Sequence, residues 1–169
     1  AKIDYADPEN IPGEICVRGE HVMAGYYKNE EATKAVLDAD GWLHTGDMGT
    51  MGKDGTIFIK GRYKTMILNA SGQNIYPEEI EAKLNNMPFV AESLVVERDG
   101  KLVALVYPDY EAMDSYGLSN ADLPVTMEEV RKNLNKSVAP YENISRIQLY
   151  PTEFEKTPKR SIKRYLYTN

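Results

Sequence analysis

Three stretches of this sequence hold residue types that could do chemistry. The first, Trp42-Leu43-His44-Thr45-Gly46-Asp47, ends in an aspartate behind a Thr-Gly turn. One carboxylate can accept two hydroxyl hydrogen bonds, so Asp47 presented from such a turn suits a vicinal diol, and ribose is one. The same residues also make an ordinary turn whose carboxylate satisfies backbone N–H groups, and spacing taken alone favours that. The second stretch runs from Gly61 to Glu81. Arg62 could fork onto a phosphate or sugar oxygen. The loop Ala70-Ser71-Gly72 would let a ligand or another backbone come close, because glycine has no side chain and tolerates unusual φ. A strand-to-helix turn with Arg62 on a solvated surface fits equally well. In the third, Glu155 to Leu166, the residues Lys156, Lys159, Arg160, Lys163 and Arg164 gather around Thr157-Pro158. A mobile basic tail of this kind could neutralise a polyphosphate, whereas a solvated terminal charge cluster is the plainer explanation.

The elements that must position these residues are readable in outline. Glu14 to Arg18 alternates polar and apolar, as a half-buried strand does. Asn29-Glu30-Glu31 starts a helix that Gly41 would stop, predicting helix over about 30–39. Thr45–Met51 and Thr56–Lys60 flank Lys53-Asp54-Gly55, a hairpin pattern. This front part has few large apolar residues and reads as the trailing piece of a larger unit. The chain also opens on Ala1 without a methionine, so a portion of a longer protein is expected.

Farther on, Thr65–Asn69 predicts a short strand. Pro77 suits a first helical turn, and Glu78 and Glu79 complement the helix dipole there. Ile80, Leu84 and Met87 recur at helical spacing until Pro88. Asp99-Gly100 between two apolar runs is a strong hairpin signal. Thr126 with Glu129 predicts a capping box ahead of Val130, Leu134 and Val138, and Ile147 and Leu149 mark a last strand. Residues 108–124 read as a long, acidic, exposed loop. A few strands and two amphipathic helices give a small α+β domain of about 105 residues, preceded by a mainly β segment.

Composition narrows the function. The 169 residues carry 20 basic and 26 acidic side chains, a net charge of −6, which argues against nucleic-acid binding. Residues 1–61 have 6 basic and 11 acidic groups, while no acid occurs in the last thirteen residues. No apolar run approaches the roughly 18 residues of a membrane-spanning helix, and no signal-peptide pattern opens the chain. The single Cys16 excludes an internal disulfide and a thiolate zinc site. With only His21 and His44 besides, a structural metal is not expected. The 42% hydrophobic and 27% charged content reads as a soluble protein of a reducing compartment, expected in the cytoplasm.

In this order the three stretches resemble the C-terminal end of the adenylate-forming superfamily, within it the acyl-CoA synthetases, and most of all long-chain fatty acid–CoA ligases. Gly13-Glu14-Ile15-Cys16-Val17-Arg18-Gly19, Met23 to Asn29 and Asp40 to Asp47 fit the end of that family's large domain. The resemblance implies that residues 1–63 end the large AMP-binding domain and that 64–169 form the mobile C-terminal domain. It implies a two-step reaction in which a carboxylate attacks the α-phosphorus of MgATP and the thiol of coenzyme A then displaces AMP. Asp47, with Thr45 beside it, would hold the AMP ribose, and Arg62 would contact the ribose or phosphate. Lys64 matches the hinge, and a hinge needs only a few residues that absorb a backbone change. The loop bearing Ser71, Gly72 and Gln73 would swing in for thioester formation, with Gly72 leaving room beside the pantetheine tunnel. The implied substrates are a fatty acid, ATP and CoA. Fatty acids partition into bilayers, so a peripheral membrane location is compatible, although no basic amphipathic helix argues for it.

One position departs from the family pattern. After a Thr-Pro and two variable residues the family carries a lysine that reaches the carboxylate and α-phosphate, and counting from Thr157-Pro158 that place is Ser161 here. Lys159 and Lys163 flank it. In an extended segment all three would point the same way, displaced by about 6–7 Å at ~3.3 Å per residue, so either could substitute. If neither does, adenylation would be slow while thioester formation is kept. Neither the family's Ser/Thr/Gly-rich phosphate loop nor its acyl pocket is recognisable here, so the chain is expected to be inactive alone. Two other readings stay open: an enzyme that loads a carrier-protein phosphopantetheine, and a non-catalytic descendant that binds nucleotide for regulation.

Overall fold

The alternating stretch around Ile15 folds as the second strand of a four-stranded antiparallel sheet. In the computed structural model, which describes residues 1–168, this sheet has the order β1 (Lys2–Asp4), β2 (Gly13–Val17), β3 (Leu43–Met51) and β4 (Ile57–Arg62). It belongs to the first of two compact units, Ala1–Met66. Ile3, Ile15, Cys16 and Met48 are its buried apolar side chains, the small core that the composition predicted. The helix expected over 30–39 is one turn and a little more, α1 (Glu30–Lys34). Asn29 caps it by accepting from the Ala32 N–H at 3.0 Å. The chain then leaves helical geometry to bridge Leu37 to Leu43. Register in the β3–β4 hairpin pairs Met51 with Ile57 and, at its open end, Asp47 with Arg62.

The second unit begins at Ile67. A two-residue pair, β5 (Ile67–Leu68) with β6 (Asn74–Ile75), leads into α2 (Pro77–Leu84), with proline in the first turn. The centre is a three-stranded sheet of order β7 (Val90–Arg98), β8 (Lys101–Pro108), β9 (Ile144–Leu149). The β7–β8 turn is Asp99-Gly100, both with positive φ (53° and 70°), as its sequence requires. β9 runs parallel to β8. The connection between them holds α3 (Tyr110–Ser115) and α4 (Leu123–Ser137), because a parallel neighbour needs a crossover rather than a tight turn.

Two predictions fail here for local reasons. Residues 108–124 are not a continuous loop: Asp109 accepts from the Ala112 N–H at 3.0 Å and starts α3, whose Met113 is buried. Thr126 caps nothing. Its hydroxyl donates to the Asp122 carbonyl at 2.9 Å from inside α4, which already begins at Leu123 with Pro124 in its first turn.

Both faces of the central sheet are covered. Val95, Leu102, Ala104 and Val106 pack with Ile75, Ile80, Leu84, Met127, Val130 and Leu134 from β6, α2 and α4. Leu94, Val96, Val103 and Leu105 point the other way and pack against Phe154 and Tyr167. A strand covered on both sides reads as a continuous apolar run, as Leu102-Val103-Ala104-Leu105-Val106 does. The second cover is the chain's own basic tail, so that tail is not the mobile, solvated segment the sequence suggested. Tyr150 and Phe154 stack at 5.0 Å, and Tyr167 meets both edge-on at 5.3 and 5.1 Å.

Candidate active site

Asp47 and Arg62 are opposite one another on neighbouring strands, so the antiparallel register alone places them on one face. Arg62 Nε lies 2.8 Å from Asp47 Oδ1. With the arginine side chain 61% exposed, such a pair contributes little to stability. Its effect is geometric: it holds a carboxylate and a guanidinium side by side at the sheet edge. Thr45 shapes the approach. The expected Thr-Gly turn is instead a bulge inside β3, where Gly46 has φ of 72° and the β2–β3 register shifts. The Thr45 hydroxyl donates to the Ile15 carbonyl at 2.8 Å and accepts from the Asp47 N–H at 3.1 Å, so its oxygen is committed to the bulge.

Beside this bulge lies a group of side chains that residue spacing did not reveal. Glu14 Oε2 accepts from His44 Nδ1 at 2.7 Å and Glu14 Oε1 from the Gly46 N–H at 2.9 Å. Asp38 Oδ2 is 3.5 Å from His44 Nε2. The hydrogen bond to Glu14, then the charges of Glu14 and Asp38, raise the His44 pKa above its ordinary 6.5. Cys16 pairs with His44 across β2–β3, its sulfur 3.6 Å from Nδ1. Glu14, Cys16 and His44 each bring one potential ligand atom within 4.8 Å of the others. Burial, with Glu14 next, raises the thiol pKa, which opposes the thiolate a soft metal needs. The two oxygens of Glu14 are already engaged. The mixed set also differs from the all-oxygen ligation that Mg²⁺ takes.

Lys64 is the middle residue of a single 3₁₀ turn, Tyr63–Thr65, immediately before the boundary between the units. Ser71, Gly72 and Gln73 form the tip of the β5–β6 hairpin. Asn69 Oδ1 accepts from the N–H groups of Ser71 and Gln73, both at 2.9 Å, and the Asn69 amide donates to Gln73 Oε1. Gly72 has φ of 77° and nothing within 4 Å of a Cβ built on it, so the turn's left-handed backbone is what calls for glycine here. This loop borders a cleft of about 390 Å³ lined by Leu68, Asn69, Glu97, Lys101, Tyr141 and Asn143 among others.

Lys159, Ser161 and Lys163 do not share an extended segment. Lys156 and Ile162 bridge as a small hairpin. The Thr157 N–H donates to the Ser161 carbonyl at 2.8 Å, and Arg160 turns with φ of 63°. Lys159 and Ser161 sit exposed at the tip of this turn, while Lys163 pairs with Glu155 at 3.2 Å. The turn is tied down behind its tip. Lys156 is bonded to Glu92 and Glu153, which raise its pKa. Arg164 reaches Glu81 at 2.8 Å and the Val95 carbonyl at 3.1 Å. Among the described residues no helix is long and apolar enough to cross a membrane.

The sheet, the lobe and its folded tail have the fold found at the C-terminal end of adenylate-forming enzymes. The adenylation domain of the carboxylate reductase from Mycobacterium chelonae matches it with a TM-score of 0.81 at 24% identity, over 92% of this chain and 26% of that one. Residues 64–169 match the AMP-binding enzyme C-terminal domain, and the chain belongs to that family. It is 38% identical over 155 residues to 4-coumarate-CoA ligase 1 of Narcissus pseudonarcissus, covering 87% of this chain and 27% of that protein. It is also similar to the O-succinylbenzoate coenzyme A synthetase of Bacillus subtilis solved with AMP, with a TM-score of 0.77 at 25% identity over 99% of this chain and 33% of that one. The chain thus spans about a quarter of the length of several curated relatives.

Proposed function

We infer that this chain is the C-terminal portion of an ATP-dependent acid–CoA ligase. Residues 1–63 would close the large AMP-binding domain, and residues 64–169 would form the moving lobe, pivoting at Lys64. The observation that carries this is the Asp47–Arg62 pair, which offers a carboxylate for a ribose diol and a guanidinium for phosphate from adjacent positions. In the first step an oxygen of the acid bonds to the α-phosphorus of MgATP and the bond to pyrophosphate breaks. In the second the sulfur of coenzyme A bonds to the acyl carbon and AMP leaves. Thr45 keeps Asp47 in place, and the Ser71-Gly72-Gln73 loop faces the thiol step. The exposed turn around Lys159, Ser161 and Lys163 faces the α-phosphate during adenylation.

The acid is the finer part of the reading. Likeness to long-chain fatty acid–CoA ligases supports a fatty acid, and the names of the relatives support an aryl acid such as 4-coumarate. The longer polypeptide that carries this chain, supplied with MgATP, CoA and either palmitate or 4-coumarate, is expected to form AMP and a thioester with one of them. Asp47→Asn is expected to raise the KM for ATP about tenfold or more, the cost of a lost charged hydrogen bond. Pyrophosphate release independent of any acid, or an unchanged KM, would refute the assignment. Acyl transfer to a carrier-protein thiol in place of CoA would favour the carrier-loading reading, and nucleotide binding without pyrophosphate exchange the regulatory one. The 169-residue chain alone should release no pyrophosphate.

A further inference from the structure

Glu14 lies outside the residues given a part in the reaction, yet its two oxygens make two structural bonds to one short segment. Oε1 holds the N–H of Gly46, the residue immediately before Asp47, and Oε2 holds the imidazole of His44. From the other side Thr45 ties the same bulge of β3 to the Ile15 carbonyl. His44 is in turn steadied by Asp38, whose Oδ1 accepts from the N–H groups of Trp42 and Asp40 at 2.8 and 3.0 Å. The side chains of Glu14 and His44 are 29% and 31% exposed, so solvent protons can reach them.

We propose that Glu14 is a positioning residue for Asp47. By joining the Gly46 N–H and the His44 imidazole it fixes the β3 bulge that presents the Asp47 carboxylate, and it couples that presentation to the charge on His44. What Asp47 grips rests on the nucleotide reading above; the clamp itself belongs to this chain alone. The titratable groups facing His44 are Glu14 and Cys16 from β2 and Asp38 from the segment ahead of β3, with Asp4 and Lys2 of β1 next to Cys16. The acids around His44 raise its pKa, so the charged clamp persists to higher pH than an ordinary histidine would allow. The stability it contributes is complete below 6.5 and is lost as pH rises through the folded-state value.

The test is an NMR titration of the isotopically labelled chain and of Glu14→Gln, following the His44 ring and the Gly46 and Asp47 amides. Glutamine keeps the shape and an acceptor for Gly46 but removes the charge. In the native chain the Gly46 amide should titrate in step with His44. In the variant the His44 inflection should fall by about one pH unit and the Gly46 inflection should flatten, while amide dispersion elsewhere stays unchanged. A Gly46 amide indifferent to His44, or still following it in the variant, overturns the proposal. In the longer polypeptide, Glu14→Gln should raise the KM for ATP several-fold and remove its pH inflection. If Asp47→Asn leaves KM unchanged while the amide coupling is present, the nucleotide reading fails and the clamp stands.

Discussion

Replacing Arg164 by methionine would leave a buried carboxylate without its counter-charge. Glu81 is 9% exposed. It accepts from the Val95 N–H and receives Arg164 at 2.8 Å, and the same guanidinium reaches the Val95 carbonyl and Glu78 Oε1 at 3.6 Å. Removing one partner of a buried ion pair costs about 3–5 kcal/mol, most of it the penalty of the charge left behind. Arg164 keeps some solvent contact, so about 3 kcal/mol is expected at neutral pH.

That deficit should depend on pH in a defined direction. Burial raises the Glu81 pKa from its ordinary 4.5, and Arg164 opposes the rise. Without Arg164 the folded-state value climbs further, and a carboxyl raised by folding destabilises the fold as pH rises from the unfolded value through the folded one. The variant should therefore be closer to the native chain near pH 5 than at about pH 8. The double variant Glu81→Gln/Arg164→Met should recover on the order of 2 kcal/mol by removing the orphaned charge. Urea unfolding followed by near-ultraviolet tyrosine dichroism reports on the second unit through Tyr150 and Tyr167, whereas Trp42 fluorescence reports on the first. A loss below about 1 kcal/mol, or one equal at both pH values, would refute the assignment of Glu81 and Arg164 as a buried pair that anchors the tail.

Ser161→Lys in the longer polypeptide should accelerate exchange of labelled pyrophosphate into ATP, on the order of a hundredfold if the site lacks a phosphate-directed charge. Normal exchange in the native protein with no gain from the substitution would assign the task to Lys159 or Lys163. Leu134→Ala, at a fully buried position of α4, should cost 2–5 kcal/mol in urea unfolding read on the tyrosine signal, with the Trp42 signal unmoved.

What was legible in the sequence is what a few neighbouring residues decide. The Asn29 cap, Pro77 at its helix start and the Asp99-Gly100 turn are local, and each lies where its chemistry placed it. The helix hidden after Asp109 was not legible, because a single turn around Met113 is too short to show a period. The start of α4 was misread because Thr126 and Glu129 look the same at a cap and within the second turn. The tail was misread for a different reason. Two of its basic residues, Lys156 and Arg164, are held by Glu92 and Glu81, which are 64 and 83 positions away, and no spacing rule reaches that far. The Glu14–His44–Gly46 clamp escaped for the same reason, since it needs the β2–β3 register to bring its members together.

The tail's true placement bears on how one small lobe could serve two chemical steps. The Ser71-Gly72-Gln73 hairpin is rooted through Ile75, which packs with α2 and α4 on one face of the β7–β8–β9 sheet. The Lys159–Ser161 turn is rooted through Phe154, Ile162 and Tyr167 on the opposite face. Close-packed layers on both sides transmit displacement rather than absorb it, so the two loops are expected to travel together with the sheet between them. If the first loop serves the thiol step and the second the phosphate step, as proposed above, a rigid lobe carrying them on opposite faces could present only one at a time to a fixed nucleotide. On that proposal, exchanging them would need rotation of the whole lobe rather than rearrangement within it, the motion a short pivot at Lys64 would permit. Cross-linking the tail to the sheet should therefore leave both half-reactions of the longer polypeptide intact. Loss of one half-reaction under that cross-link would mean that the tail moves independently of the sheet.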